Sequence, residues 1–253
     1  MSGYRGFSQF YDNLTFNVDY VKRADYIQSV LSLYGHDMGL TLDLACGTGS
    51  LTLELKRRGA DIFGVDASQD MLMIAMDKAY DADQEILYLC QRMESLDLYG
   101  TIDTCICTLD SLNHITEKEK LQAAFDRVGL FMNPGGIFLF DVNTVYKHRK
   151  ILADNTFVYD TDQVYCVWQN SFKENNTVQI SLDFFERTGD AYHRRSEHFA
   201  ERAYEAEELK EMLRHAGFET LAVYHDMTTE PLREDSDRAV FVARIVEVRN
   251  KED

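Results

Sequence analysis

The stretch Leu42-Asp43-Leu44-Ala45-Cys46-Gly47-Thr48-Gly49 decides how this 253-residue chain is read. It begins inside an apolar run, breaks into small residues, and leads to Leu51 and Leu55, which lie four apart as on a helix face. A strand that turns into a helix through residues carrying little beyond a Cβ lets backbone N–H groups come close to a ligand. Gly47 and Gly49 read as small because ligand and backbone approach there. Asp66, in Gly64-Val65-Asp66-Ala67-Ser68, ends the next apolar run, where a carboxylate can accept both hydroxyls of a ribose lying across the sheet edge. A dinucleotide loop would carry a third glycine where this chain has Thr52.

Outward from that loop, short apolar runs alternate with amphipathic stretches, the pattern of βα units feeding a parallel sheet, so the fold class is α/β. Strands are expected over 40–45, 61–65, 86–90, 102–107 and 136–140. Gly59 stops the first intervening helix and Ser68 caps the next, whose inner stripe is Met71, Ala75 and Ala79. Thr116 and Glu119 have capping-box spacing ahead of Leu121, Ala124, Phe125 and Val128. Upstream, 4–14 and 20–34 look helical, the second with Val21, Ala24, Ile27, Val30 and Leu31 on one side.

Past Asn143 the period changes to two. Val178, Ile180, Leu182 and Phe184 alternate with polar residues, and Asn175-Asn176 and Gly189-Asp190 supply turns. An antiparallel insertion is expected over 156–202. A helix with Leu209, Met212, Leu213 and Ala216 inside follows, stopped by Gly217, and then a terminal hairpin over 219–224 and 239–246. The expected division is 1–155 for a helical cap and nucleoside-binding core, 156–202 for the insertion, and 203–253 for the helix and hairpin that complete the core sheet.

Composition narrows the function. Lys+Arg 26 against Asp+Glu 43 leaves a net charge of -17, which opposes a phosphate backbone, so no nucleic-acid partner is expected. No apolar run reaches the roughly 18 residues of a membrane span, and the first residues lack a signal peptide's apolar core, so neither membrane nor secretion is expected and the cytoplasm is the expected location. Five cysteines without a Cys-x-x-Cys pair fit neither a disulfide framework nor a zinc site, and no metal is expected. Cys90, Cys105 and Cys107 read as small apolar core residues.

The segment 42–49 resembles the first motif of class I S-adenosylmethionine-dependent methyltransferases, with Ala45 where the first glycine commonly stands. The similarity continues through Asp66, Met71-Leu72, Asp110-Ser111-Leu112-Asn113-His114 and Pro134-Gly135-Gly136, covering about 11–141. It implies S-adenosyl-L-methionine as cofactor and a Rossmann-like seven-stranded sheet in the order 3-2-1-4-5-7-6, with strand 7 antiparallel and helices on both faces. The insertion resembles a small-molecule branch that includes amino-sugar N-methyltransferases and glycine N-methyltransferase-like enzymes. The resemblance implies a cofactor site of Tyr11, Tyr20, Asp43, Ala45, Cys46, Gly47, Gly49, Asp66, Ala67, Met71, Arg92, Met93 and Leu109, with Asp110, Asn143 and Trp168 toward the acceptor. Relatives often place an Asp after the third strand to accept the adenine amino group. Gln91-Arg92-Met93 stands there instead, and arginine cannot accept, which leaves backbone, Gln91 or packing by Met93 for that task.

Methyl transfer from a sulfonium is an in-line displacement that rests on alignment and on exclusion of water, and a base is required only if the nucleophile arrives protonated. His114 is the residue expected to fill that role, against a structural histidine as the competing reading. His148, His193 and His198 are expected at the surface. The function expected is methyl transfer to a small molecule, with the insertion as a substrate lid. A methyltransferase acting on protein or RNA, or a nucleotide-binding module without turnover, is the alternative, and the insertion's apolar face could instead form a homodimer.

Overall fold

The computed structural model describes residues 18–161, 164–189 and 191–247. Helix α1 (Tyr20–Leu33) leads into β1 (Leu40–Leu44), α2 (Ser50–Arg57), β2 (Asp61–Asp66), α3 (Gln69–Asp81), β3 (Tyr88–Cys90), β4 (Ile102–Cys107), α4 (Lys118–Phe131) and β5 (Met132–Asn143). Four strands, β6 (Thr156–Asp160), β7 (Val164–Phe172), β8 (Thr177–Thr188) and β9 (Ala191–Arg202), make a separate antiparallel sheet. The chain returns through α5 (Ala206–His215), β10 (Phe218–His225) and β11 (Arg238–Ile245).

The main sheet runs β10-β11-β5-β4-β1-β2-β3. Its first five strands in sequence are parallel, and β11 lies antiparallel between β5 and β10. Counted along the main sheet alone this is the order 3-2-1-4-5-7-6, the seven-stranded α/β arrangement expected from the resemblance. Both faces are covered, which is why its inner strands read as continuous apolar runs. One face packs Phe125, Phe138, Phe140 and Phe241 with Leu209 and Leu213 of α5; the other packs Ile27 and Leu31 of α1 and Leu55 of α2 on Ile106, Leu139 and Val242.

Several local expectations need correction. β3 is shorter than 86–90, and it is the edge strand, so Cys90 at its end is exposed and not a core residue. β5 begins at Met132, because Pro134 and Gly135 fall in an irregularity between the Ile102–Met132 and Thr104–Ile137 pairs, where a missing N–H costs no ladder bond. Thr116 does not cap α4: Glu117 is the N-cap, without a side-chain bond, and the Thr116 carbonyl accepts from Arg202 Nη1 at 3.0 Å. Val21 is 53% exposed, and the buried side of α1 takes Arg23 instead, which finds a buried carboxylate partner. Ser68 caps α3 as expected, accepting from the Met71 N–H. The 4–14 segment lies outside the described residues.

In the second sheet Val178, Ile180, Leu182 and Phe184 are buried, as their alternation requires. Residues directly opposed in the ladder share a face, so the rows Asn170–Ile180–Phe199, Trp168–Leu182–Glu197 and Phe172–Val178–Glu201 all belong to that one face.

Candidate functional site

At the carboxyl end of β1 the chain takes three left-handed steps, Ala45 (φ 61), Gly47 (φ 54) and Gly49 (φ 71), before α2 starts. The two glycines are small for different reasons. A Cβ on Gly49 would lie 2.7 Å from the Tyr88 hydroxyl and 2.8 Å from Ala75 Cβ, so the protein's own packing demands glycine there. A Cβ on Gly47 would meet nothing within 4 Å, so this is the position whose open side faces away from the protein's own atoms. Packing therefore accounts for Gly49, whereas Gly47 has open space beside its left-handed backbone.

Asp66 ends β2 beside this loop. Its Oδ2 accepts the Gly47 N–H at 2.9 Å and its Oδ1 the Ser68 N–H at 2.7 Å, which fixes the carboxylate and leaves each oxygen a further lone pair. Burial raises its pKa, opposed by those two N–H groups. Asp43, buried in β1, accepts the Thr52 hydroxyl at 2.6 Å and so braces strand to helix behind the loop; burial pushes it up to about 7. Cys46 closes onto β2 through its N–H to Val65 O at 3.0 Å, and burial holds its thiol well above the ordinary range. Lys78 of α3 donates to Thr48 and Ser50 hydroxyls, at 3.0 and 2.8 Å.

After β4, Leu109 (φ 59) and Asp110 (φ 54) form a second left-handed turn. Asp141, buried on β5, explains it: its carboxylate accepts the N–H of Leu109 at 3.0 Å and of Asp110 at 2.8 Å. The same carboxylate takes Arg23 of α1 at 2.9 Å and Arg238 of β11, and Arg238 also reaches Asp110 at 2.7 Å. Burial alone would raise Asp110, but Arg238 and Lys147 outweigh it and hold it well below the usual carboxylate range.

His114 ends the short helical turn Ser111–His114, with its ring on Phe199 at 5.2 Å between centroids and its Nε2 3.7 Å from Glu201 Oε1. Desolvation lowers its pKa against the pull of Asp110 and Asp66, although its side chain stays 34% exposed. Asn113 beside it ties the second sheet to the main one, donating to Asn143 O at 3.1 Å and Arg202 O at 2.9 Å while accepting the Asn143 N–H. Glu201 Oε2 lies 3.4 Å from Asn143 Nδ2 and 3.8 Å from His148 Nε2. His148 is not a surface residue: it is fully buried in the helical turn Lys147–Leu152, held by Asn176 O at 2.8 Å. His193 and His198 are exposed, as expected.

The carboxyl edge thus brings together Ala45, Cys46, Gly47, Gly49, Asp66, Leu109, Asp110, His114 and Asn143, with Asp43 and Met71 buried behind them. Ala67 is exposed at the end of β2, and its carbonyl accepts from Cys90 Sγ. Tyr20 opens α1, one turn from Arg23, half-buried against the α1 cluster. Arg92 points to solvent and pairs with Glu94 at 3.4 Å, and Met93 packs on the core. The Gln91 amide is engaged on both sides by the Asp97 backbone. The Trp168 indole donates to Asn170 and packs with Phe157 and Tyr159, on the same sheet face as Phe199 and Glu201. Tyr11 lies outside the described residues. Glu201, His148, Asp141 and Arg238 were not anticipated; of these only Asp141, flanking Asn143 at the strand end, carried any sequence signal. Among the described residues no group of three His, Cys, Asp or Glu side chains is placed to hold a metal, and no helix is long and apolar enough to cross a membrane.

Comparison with known proteins follows this geometry. A family described as a methyltransferase domain matches residues 41–136. The chain is 34% identical over 245 residues to "Putative methyltransferase YqeM" of Bacillus subtilis (strain 168), covering 95% of this chain and 96% of that one. A crystal structure of an S-adenosylmethionine-dependent methyltransferase from Clostridium acetobutylicum superimposes with a TM-score of 0.89 at 31% identity, over 96% of this chain and 99% of the other. The sugar N-methyltransferase KedS8 from Streptoalloteichus shares the fold at a TM-score of 0.77 and 19% identity, over 90% or more of each chain.

Proposed function

Because the chain belongs to the S-adenosylmethionine-dependent methyltransferases, we propose that it transfers the methyl group to a small-molecule acceptor, and to an amine nitrogen of it. S-adenosylmethionine supplies the methyl group on a sulfonium. The residues present suit that cofactor: the open side of Gly47 leaves room for the methionine portion over the 45–49 backbone, and Asp66 has free lone pairs for the ribose hydroxyls. In this reading Met71, Ala67 and Met93 serve the adenine, Leu109 the second turn, and Tyr20 the entrance. Asp110, Asn143 and Trp168 belong to the acceptor side.

The observation that carries the small-molecule reading is the placement of the second sheet. Its strand β9 is fastened to the turn after β4 through Asn113 to Arg202 O and His114 against Phe199, and just past the strand the Tyr204 hydroxyl donates to Ile115 O at 2.5 Å. A sheet fastened to the carboxyl edge suits a lid that excludes water from a small acceptor better than it suits an open groove for a polymer. The fold shared with a sugar N-methyltransferase supports nitrogen as the nucleophile. The five cysteines, all free thiols, suit the reducing cytoplasm.

The test pairs binding with labelling. Asp66→Ala should weaken S-adenosylhomocysteine binding about tenfold or more in calorimetry, since a charge-assisted hydrogen bond contributes about 1.5–3 kcal/mol. Wild type given methyl-labelled S-adenosylmethionine and a cell extract should place label in the metabolite fraction, on nitrogen. Label confined to protein or RNA would refute the small-molecule reading.

A further inference from the structure

Buried carboxyl groups that lack a cation partner are rare and costly, and β9 carries one at the roof of the site. Glu201 is 5% exposed, and no lysine or arginine forms an ion pair with it among the described residues. Its neighbours come from every element packed on it. They are His114 at 3.7 Å, from the turn after β4, the Asn143 amide of β5 at 3.4 Å, and His148 at 3.8 Å from the turn after β5. Lys147, Asp110 and Arg238 act on it from farther away, and Val178 faces it across the ladder.

His148 supplies an independent observation. Its Nδ1 faces the Asn176 carbonyl at 2.8 Å, and a carbonyl only accepts, so Nδ1 carries the proton and Nε2 is a bare lone pair. That Nε2 is fully buried, has no hydrogen-bond partner, and looks toward Glu201 Oε2. A shift of about 1 Å would turn the 3.8 Å gap into a hydrogen bond from a protonated Glu201 to His148. The inner oxygen thus has a place to park a proton, while Oε1 stays on the His114 side, toward Asp66 and Asp110.

Resting on the methyltransferase reading above, we propose that Glu201 is the acceptor-pocket group that receives the proton of an incoming ammonium, with His148 as the residue that positions it. An amine that arrives as R–NH3+ gives one proton to the Glu201 carboxylate and becomes R–NH2 plus carboxylic acid. The nitrogen lone pair then forms the C–N bond as the C–S bond breaks and its electron pair goes to sulfur. The product is a methylammonium, and the proton on Glu201 leaves to solvent when the site reopens. Burial raises the Glu201 pKa, with Asp110 adding to the rise and Lys147 opposing it, so its carboxylate is a stronger proton acceptor than an exposed glutamate. His114 keeps the part of a wall of the site, stacked on Phe199 beside Glu201.

Sinefungin, which carries an amine-bearing carbon in place of the methyl-sulfonium, tests this without the natural acceptor. Its ammonium occupies the region of the transferred methyl, whereas S-adenosylhomocysteine has no charge there. Calorimetry on wild type should show the sinefungin preference over S-adenosylhomocysteine rising as pH goes from 6.5 to 8.5, as Glu201 becomes a carboxylate. In Glu201→Gln the preference at pH 8.5 should fall about fivefold and its pH dependence should flatten, while S-adenosylhomocysteine binds as before. His148→Gln should displace the midpoint of the wild-type pH curve. A preference unchanged in Glu201→Gln overturns the proposal alone. A flat wild-type pH series overturns it even if the variant does not fold, and wild type that binds neither compound removes the methyltransferase reading with it.

Discussion

At Gly47 and Gly49 the same residue type answers two separate demands, and mutation separates them. Gly49→Ala drives a Cβ into Tyr88 and Ala75 at a left-handed position, so it should destabilise the fold by several kcal/mol. Gly47→Ala has open space and meets only the left-handed penalty, about 1–2 kcal/mol, yet it should abolish S-adenosylhomocysteine binding. Urea unfolding and calorimetry on the two variants check both halves; a Gly47→Ala protein that binds normally would move the ligand off the loop. The left-handed loop after β1 was legible in the sequence because its small residues are contiguous, and Asp66 because it ends the next apolar strand. Glu201 was not, because its role depends on strand parity, which turns it to the face shared with Phe199, and on His148, which looked like a surface histidine until the Lys147–Leu152 turn carried it under the second sheet.

Among the elements, the strands and helices that obey a simple period were readable, and those that end on a tertiary contact were not. The four strands of the second sheet appear over the expected 156–202, since a half-buried antiparallel sheet writes its alternation plainly. The start of α4 was misread because the Thr116 carbonyl serves Arg202, far along the chain. No local pattern reveals that α1, the turn after β4, and β11 converge on Asp141 through Arg23, Leu109, Asp110 and Arg238. Arg238→Met should show what that junction is worth. It strands two buried carboxylates with one fewer cation, and removing one partner of a buried pair costs about 3–5 kcal/mol. The denaturation midpoint should drop accordingly; a variant as stable as wild type at neutral pH would show the network to be idle.

For the molecule as a whole, the buried acids set how stability varies with pH. Asp43 titrates near 7 when folded and near 3.9 when unfolded, so the native state holds the extra proton between those values and stability falls as pH rises through that window. Its share is at most about 4 kcal/mol across the full interval, about 1.4 kcal/mol for each unit. The melting temperature of the ligand-free protein should therefore decline from pH 5 to 7, and Asp43→Asn should flatten the decline; an unchanged slope would mean that water or a shifted backbone solvates the group. The arrangement of β11 carries a consequence of another kind. The last of the described strands does not close the sheet at its rim but sits inside it, between β5 and β10, and it brings the guanidinium that clasps Asp110 and Asp141. On the ribosome, the polypeptide up to β9 therefore exists with one side of β5 unpaired and with the ligand edge lacking its clasp. Maturation of the site must wait for residue 238 to emerge, so the nascent chain is exposed to edge-to-edge association until β11 has been made.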